Sequence, residues 1–244
     1  MQLLFAFIIL STITIIAILL VILNKNTRSG KVRDIAQKNN WQYQEFIDLD
    51  NTLKSANFGL LNHSQNAIFR HIISSDGAYN TNKNKKFRFF DCRAIEPSGI
   101  HNSSVILSYL DLSNEYQKLH ACFTPITANQ TPSKNPMQSP IDKLYLARLR
   151  HLQKLSLLSP HYAFQRYQLH ANTPRLLENF LQQHLSKTNT ENTISKWLLA
   201  HPHLHIEISN GILLAYQPNC LLDEDSITSA IKAVCDISER LNNA

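Results

Sequence analysis

Five glycines in 244 residues is the first shortage, and it removes whole classes of chemistry. No Gly-rich phosphate loop or dinucleotide fingerprint can be assembled from so few. Neither a G-x-S-x-G elbow nor an H-E-x-x-H helix occurs, so hydrolase and zinc-protease readings lack their usual start. The four cysteines, Cys92, Cys122, Cys220 and Cys235, lie far apart and form no C-x-x-C pair. Each sits in an apolar pattern, where a free thiol behaves as a small buried hydrophobe, and a domain of this size does not need disulfides. Four reduced core thiols are expected. Charge is the last absence: no Asp, Glu, Lys or Arg precedes Lys25.

That uncharged stretch is an apolar run from Leu3 to Leu23, broken only by Ser11, Thr12 and Thr14. Its length is about the ~20 residues a helix needs to cross a bilayer core. Residues 1–24 are therefore read as a single transmembrane anchor, with the bilayer as partner through residues 3–23. A cleaved signal peptide needs a basic start, a core of about 7–15 residues and a small-residue cleavage site. Met1-Gln2, the long run and Asn24-Lys25-Asn26 supply none of these, and no Cys follows for lipoprotein processing. Lys25, Arg28, Lys31 and Arg33 come next. Positive charge beside a span stays cytoplasmic, which predicts an inner-membrane protein with its N-terminus outside and its domain in the cytoplasm. The same four side chains are candidates for lipid headgroup contact, each contributing on the order of 1 kcal/mol.

The net charge of +6 is unevenly spread: residues 1–170 carry nineteen Lys/Arg against ten Asp/Glu, and residues 171–244 five against eight. A basic surface also attracts nucleic acid, but no binding module is recognisable. Lys83, Lys85, Lys86 and Arg88 read as a solvated turn entering a strand, so nucleic acid is not an expected partner.

Hydrophobic periodicity divides the rest. Residues 25–40 predict a basic juxtamembrane helix, with Val32, Ile35 and Ala36 as its apolar stripe. Residues 41–124 predict an antiparallel β-meander: strands at 41–46, 67–74, 87–95, 105–112 and 119–126, with a helical turn over 48–58 that ends at Gly59. Residues 125–140 hold Pro125, Pro132, Pro136 and Pro140 among polar residues, with almost nothing to bury, and predict a mobile loop. Residues 141–244 predict an α+β half that packs with the meander. It comprises a helix over 141–158, a strand over 162–170 and a helix over 173–187 that opens on Thr173-Pro174. A short helix follows over 193–200. Strands 203–209 and 212–217 flank Asn210-Gly211, a type I′ turn signal. A last helix over 223–243 begins with Asp223, Glu224 and Asp225, where its dipole favours negative charge. The fold class is α+β, a mostly antiparallel sheet covered by helices. The alternative is a pleckstrin-like curled sheet closed by the C-terminal helix.

Several of these stretches form a familiar series. An anchor leads into a basic helix and an aromatic strand, then Phe87-Arg88-Phe89-Phe90-Asp91, Phe164-Gln165-Arg166-Tyr167, and Ile206-Glu207-Ile208-Ser209-Asn210-Gly211 with Leu213-Leu214-Ala215-Tyr216. Together they resemble a group of uncharacterised bacterial single-pass membrane-anchored proteins. The resemblance covers most of the region after the anchor, but its motifs are structural and imply no catalytic residues.

One cluster merits weighing for chemistry. His203, His205 and Glu207 alternate along a strand and share a face, and two imidazoles with a carboxylate match common Zn²⁺ or Fe²⁺ ligand sets. Alternate Cβ atoms stand roughly 7 Å apart, so a full set needs other elements; the competing reading is the solvent face of an edge strand. Asp48 with Asp50 reads as a turn, and Asp91 and Arg93 share a strand face and could pair. The expected function is a non-enzymatic, cytoplasm-facing interaction or membrane-surface module with no cofactor. The alternatives are a lipid or small-ligand binding domain and a metal-assisted enzyme using His203, His205 and Glu207.

Overall fold

The computed structural model describes residues 10, 12–15, 23, 27–48, 51–62, 67–75, 86–96, 99–126, 151–155, 166–186 and 194–242. The expected span over 3–23 falls largely outside these. Its described residues are helical, with Leu10, Ile13, Ile15 and Leu23 between 57% and 65% exposed. Among the described residues no helix is long and apolar enough to cross a membrane. Most of the Pro-rich loop and of the helix expected over 141–158 also lies outside the described residues.

Among the described residues nine strands form one antiparallel sheet: β1 (Gln42–Phe46), β2 (Ile68–Ser74), β3 (Phe87–Glu96), β4 (Gly99–Tyr109), β5 (His120–Pro125), β6 (Gln153–Lys154), β7 (Tyr167–Ala171), β8 (His205–Ser209) and β9 (Ile212–Tyr216). Their order across the sheet is β1-β2-β3-β4-β9-β8-β5-β7-β6. Strands from both halves of the sequence build this sheet, and the fold is α+β as expected, but the meander stops at its fourth strand. Val105 to Tyr109 of β4 pair with Tyr216 to Ile212 of β9, and β5 lies between β8 and β7. The β8–β9 hairpin is inserted because β5 and β9 are both wholly buried strands that need a neighbour on each side. The sheet is open, with β1 and β6 at its edges, so the pleckstrin-like closure is not what forms. Gln153 and Lys154 are a short strand where the sequence predicted helix, and Pro125 pairs with Tyr167 instead of opening a loop.

Helices α1 (Arg28–Lys38), α4 (Pro174–Ser186), α5 (Ile194–Ala200) and α6 (Glu224–Asn242) cover one face, together with Phe87, Phe89, Leu169 and Leu213. The short helices α2 (Asn51–Ser55) and α3 (Gly59–Asn62) cover the other, over Phe90, Cys92, Cys122 and Leu214. Strict alternation along β3 sends Phe87 and Phe89 to the first face and Phe90 and Cys92 to the second. Gly59 begins α3 where the sequence predicted a helix end. Cys92, Cys122 and Cys235 are buried, as expected of core cysteines, Cys220 is half-buried, and none of the four is in a disulfide.

The helix ends follow the sequence signals. Thr27 caps α1 by accepting from the Gly30 amide at 3.1 Å, and Asp223 caps α6 by accepting from the Ser226 amide at 2.8 Å. Asn210 and Gly211 take φ of 49° and 71°, the two left-handed residues of the β8–β9 turn. An apolar void of about 20 Å³ lies between the sheet and α4–α6, walled by Phe123, Phe180, Trp197, Ile208, Leu213 and Ile237.

Candidate functional site

The direction of α1 sets the geometry of the region after the apolar run. Arg28 at its start reaches Asp91 near the middle of β3, and Trp41 just past its end packs edge-on to Phe87 at the start of β3, centroids 5.0 Å apart. The helix therefore runs away from the β3–β4 turn, and its N-terminus is the end nearest that turn. Strand β1 then returns toward the turn and ends at Phe46. Beyond β9, Asn219 bonds His101 and Ser103, and Leu222 bonds Ser104, so residues 219–222 run beside the first half of β4.

Arg28 is the hub of this region. Its Nε and Nη2 donate to the two oxygens of Asp91 at 3.0 and 3.1 Å, and Nη1 donates to the Leu222 carbonyl. Ser104 donates to Asp91 Oδ1 at 2.6 Å while its oxygen accepts from the Leu222 amide at 3.0 Å. Glu224 lies 3.6 Å from both Arg28 and Lys31. Two cations in the first turn of α1 oppose the helix dipole, and the carboxylates of Asp91 and Glu224 compensate them. Burial works against the Arg28 charge, but the hydrogen bond and charge of Asp91, with Glu224, outweigh it and raise its pKa.

Beside the hub, β2 carries a bulge. Its register with β3 shifts between Arg70 and Ile73, and His71 takes φ of 55°, which a non-glycine residue seldom adopts. His71 Nδ1 lies 3.4 Å from the Tyr43 hydroxyl, which in turn bonds Ser29 at 2.8 Å. Burial, against the pull of Asp91, lowers the His71 pKa.

The opposite face holds the second polar group. Glu207 is fully buried; its carboxylate accepts from the Gly59 amide and the Tyr216 hydroxyl, both at 2.7 Å. His205 stacks on Tyr216, ring centroids 5.5 Å apart, and burial pushes its pKa down to about 4. His120 Nδ1 and exposed His151 Nε2 are 3.3 Å apart; burial, then the neighbouring His151, pushes His120 down to about 4.

The predicted site residues are thus partly dispersed. Lys25 lies outside the described residues. Arg28 points into the fold, Lys31 faces Glu224, and Arg33 faces Glu45 at 3.8 Å with its guanidinium over Tyr43. Lys31 and Arg33 remain 48% and 41% exposed, so two of the four basic residues keep the accessibility that headgroup contact needs. His205 and Glu207 do share a face, but on a central buried strand, because β8 lies between β9 and β5. His203 sits in the exposed turn before it. Among the described residues no three His, Cys, Asp or Glu are grouped to hold a metal. Asp91 pairs with Arg28, 63 positions away, and not with Arg93. Sequence reasoning missed Ser104, His71 and Tyr216 as partners, since each meets its neighbour through strand register, and Gly59, which meets Glu207 only because α3 packs on the sheet. No family model, no curated relative and no solved structure matches this chain.

Proposed function

We propose that this chain is a membrane-anchored, non-enzymatic module that docks one end of its sheet on the bilayer surface. One observation carries the reading. Outside the N-terminal stretch, the large apolar side chains most exposed among the described residues are Phe46 (58%), Ile100 (53%) and Leu221 (45%). All three lie in the half of β3 and β4 nearer their turn, Ile100 beside it and Phe46 and Leu221 level with Asp91 and Ser104. Phe46 ends β1, Ile100 starts β4, and Leu221 is in the segment beside β4. Exposed apolar residues scattered singly need no explanation, but three in the half of the sheet where α1 begins, with exposed Lys31 and Arg33 on that helix, match an interfacial contact. The exposed apolar helical residues Leu10, Ile13, Ile15 and Leu23 suit an anchor that ends there. Positive charge after residue 24 favours the cytoplasmic side of an inner membrane.

The other readings draw less support. A lipid-binding cavity needs roughly 300–1,000 Å³, and the void against α4–α6 holds about 20 Å³. For a metal-assisted reaction His203 is not beside His205 and Glu207, and both oxygens of Glu207 are already engaged.

The test uses the full chain in lipid nanodiscs, with an environment-sensitive fluorophore at Ile100→Cys in a Cys220→Ser background. A matching probe at exposed Glu115→Cys, beyond the far end of β4, serves as control. Docking predicts a blue shift and quenching by lipid-borne nitroxide at position 100 and neither at 115. Equal, water-like spectra at both would refute it.

A further inference from the structure

Three arginines meet on the helix-side face of β2 and β3, and they are not equivalent. Arg28 takes up both oxygens of Asp91. Arg70 and Arg93 belong to the sheet itself. Arg70 stands opposite Asp91, and Arg93 opposite Ile68, so the two are diagonal neighbours on one face. Diagonal positions in an antiparallel pair are about 7 Å apart, within reach of one ligand for side chains this long.

Each has one buried nitrogen without an acceptor among the described residues. The Nε of Arg70 and the Nε of Arg93 are shut off from solvent with no hydrogen-bond partner among the described residues, although each side chain is partly exposed. A buried charged donor left unpaired is costly, and such a group calls for an occupant. Asp91 is the nearest carboxylate by register, but Arg28 and Ser104 already bond it. The Arg70 guanidinium is also held in place, 5.0 Å from the ring centroid of Phe46. The held fork of Arg70 and the neighbouring fork of Arg93 fit an anion with several oxygens spread in space, and phosphate presents them in the geometry that Arg reads best. Exposed Phe46 lies beside one arginine, and Ile100 is two residues from Asn102, the partner of Arg93 across β3–β4.

We propose that Arg70 and Arg93 bind the phosphate of an anionic phospholipid headgroup as this end of the sheet meets the bilayer. The site rests on the docking reading above and gives it lipid selectivity.

Native mass spectrometry of the full chain, released from detergent with equal phosphatidylglycerol and phosphatidylcholine, tests it. The expected result is one retained phosphatidylglycerol, preferred at least fivefold and displaced by millimolar inorganic phosphate. Arg70→Gln with Arg93→Gln should bring that preference within twofold of parity, while Arg175→Gln on α4 leaves it unchanged. If circular dichroism shows the double Gln variant unfolded, the Arg70→Lys and Arg93→Lys pair is read instead, with at least a threefold fall expected. Equal retention of both lipids, or a preference that the arginine variants do not move, overturns the proposal. Retention of inorganic phosphate with no lipid preference also overturns it, since the ligand is then free phosphate. If the probe at position 100 inserts while lipid preference is absent, only this proposal falls. A probe that stays in water removes the docking reading as well.

Discussion

Arg28 and Asp91 stand 63 positions apart and meet as a two-pronged ion pair, Nε to Oδ2 at 3.0 Å and Nη2 to Oδ1 at 3.1 Å. The pair joins the helix after the apolar run to the middle of the sheet. Through Ser104 and the Leu222 carbonyl it also reaches β4 and the approach to α6. Four segments distant in sequence therefore share one charge-compensated knot, and a tilt of α1 has to be accommodated by the sheet.

Removing the carboxylate should cost more than removing the cation. Asp91 is 9% exposed at the side chain and Arg28 21%, so Asp91→Ala strands a partly buried guanidinium and the Ser104 hydroxyl together. Breaking one side of such a pair costs about 3 kcal/mol, and Arg28→Met should cost roughly half of that because its apolar stem still packs. Denaturant unfolding of the two variants checks the order. Equal losses, or a larger one for Arg28→Met, would show that the knot is held mainly by packing.

Much of the fold was legible because its signals are local. The caps Thr173-Pro174 and Asp223, the Asn210-Gly211 turn and the alternation in β3 each rest on chemistry within a few residues. What was not legible depends on register. Glu207 alternates with His205 as expected, and the Asn210-Gly211 hairpin sets β9 beside it, but nothing nearby in sequence says that β5 flanks its other side or that Gly59 lies over it, so its burial could not be inferred. The same holds for Arg28, whose position after an apolar run argued for lipid contact while Asp91 drew it inward. Exposed basic residues and buried ones look alike until the strands are paired.

Glu207 is a buried polar tie between the sheet and its α2–α3 cover, beside the exposed bond from Asn210 to the Ser55 carbonyl. Glu207→Ala leaves the Tyr216 hydroxyl and the Gly59 amide without that acceptor, a loss of about 3 kcal/mol. Tyr216→Phe removes one donor and should cost about 1 kcal/mol. Hydrogen exchange gives the more telling readout: residues 51–62 should lose protection in Glu207→Ala before the rest of the sheet does. Uniform loss across all nine strands would argue against a separable cover.

Acid should unfold this protein in a defined window. His205 and His120 titrate at about 4 in the fold, against 6.5 unfolded, because burial disfavours their charged forms. Between those values the unfolded chain binds more protons, so stability rises with pH there. It is fully present above about 6.5 and is lost as pH falls toward 4. At ~1.4 kcal/mol per unit, His205 accounts for on the order of 3 kcal/mol, and the less buried His120 for less. His205→Phe keeps a ring against Tyr216 and removes that titration. Its stability should fall less steeply between pH 6.5 and 4 than that of the parent, and an unchanged slope would exclude His205 as a source.

The β8–β9 hairpin joins the two halves of the sheet, so its turn should control the whole unfolding transition. Gly211 has φ of 71°, its carbonyl accepts from the Leu110 amide at 2.7 Å, and a Cβ there would sit 3.2 Å from the Leu110 oxygen. Gly211→Ala is thus strained both by its left-handed backbone and by a crowded neighbour that cannot retreat without losing β4 pairing. A loss of about 1–2 kcal/mol is expected. Asn210 shares the left-handed conformation with φ of 49° but is exposed, so Asn210→Gly should change stability by only a few tenths of a kcal/mol. Thermal unfolding of both variants separates the effects. A single cooperative transition, lowered in Gly211→Ala and nearly unmoved in Asn210→Gly, is the outcome expected if β4, β9, β8 and β5 melt together. Two transitions in Gly211→Ala would instead mean that the hairpin divides the sheet into halves that unfold separately.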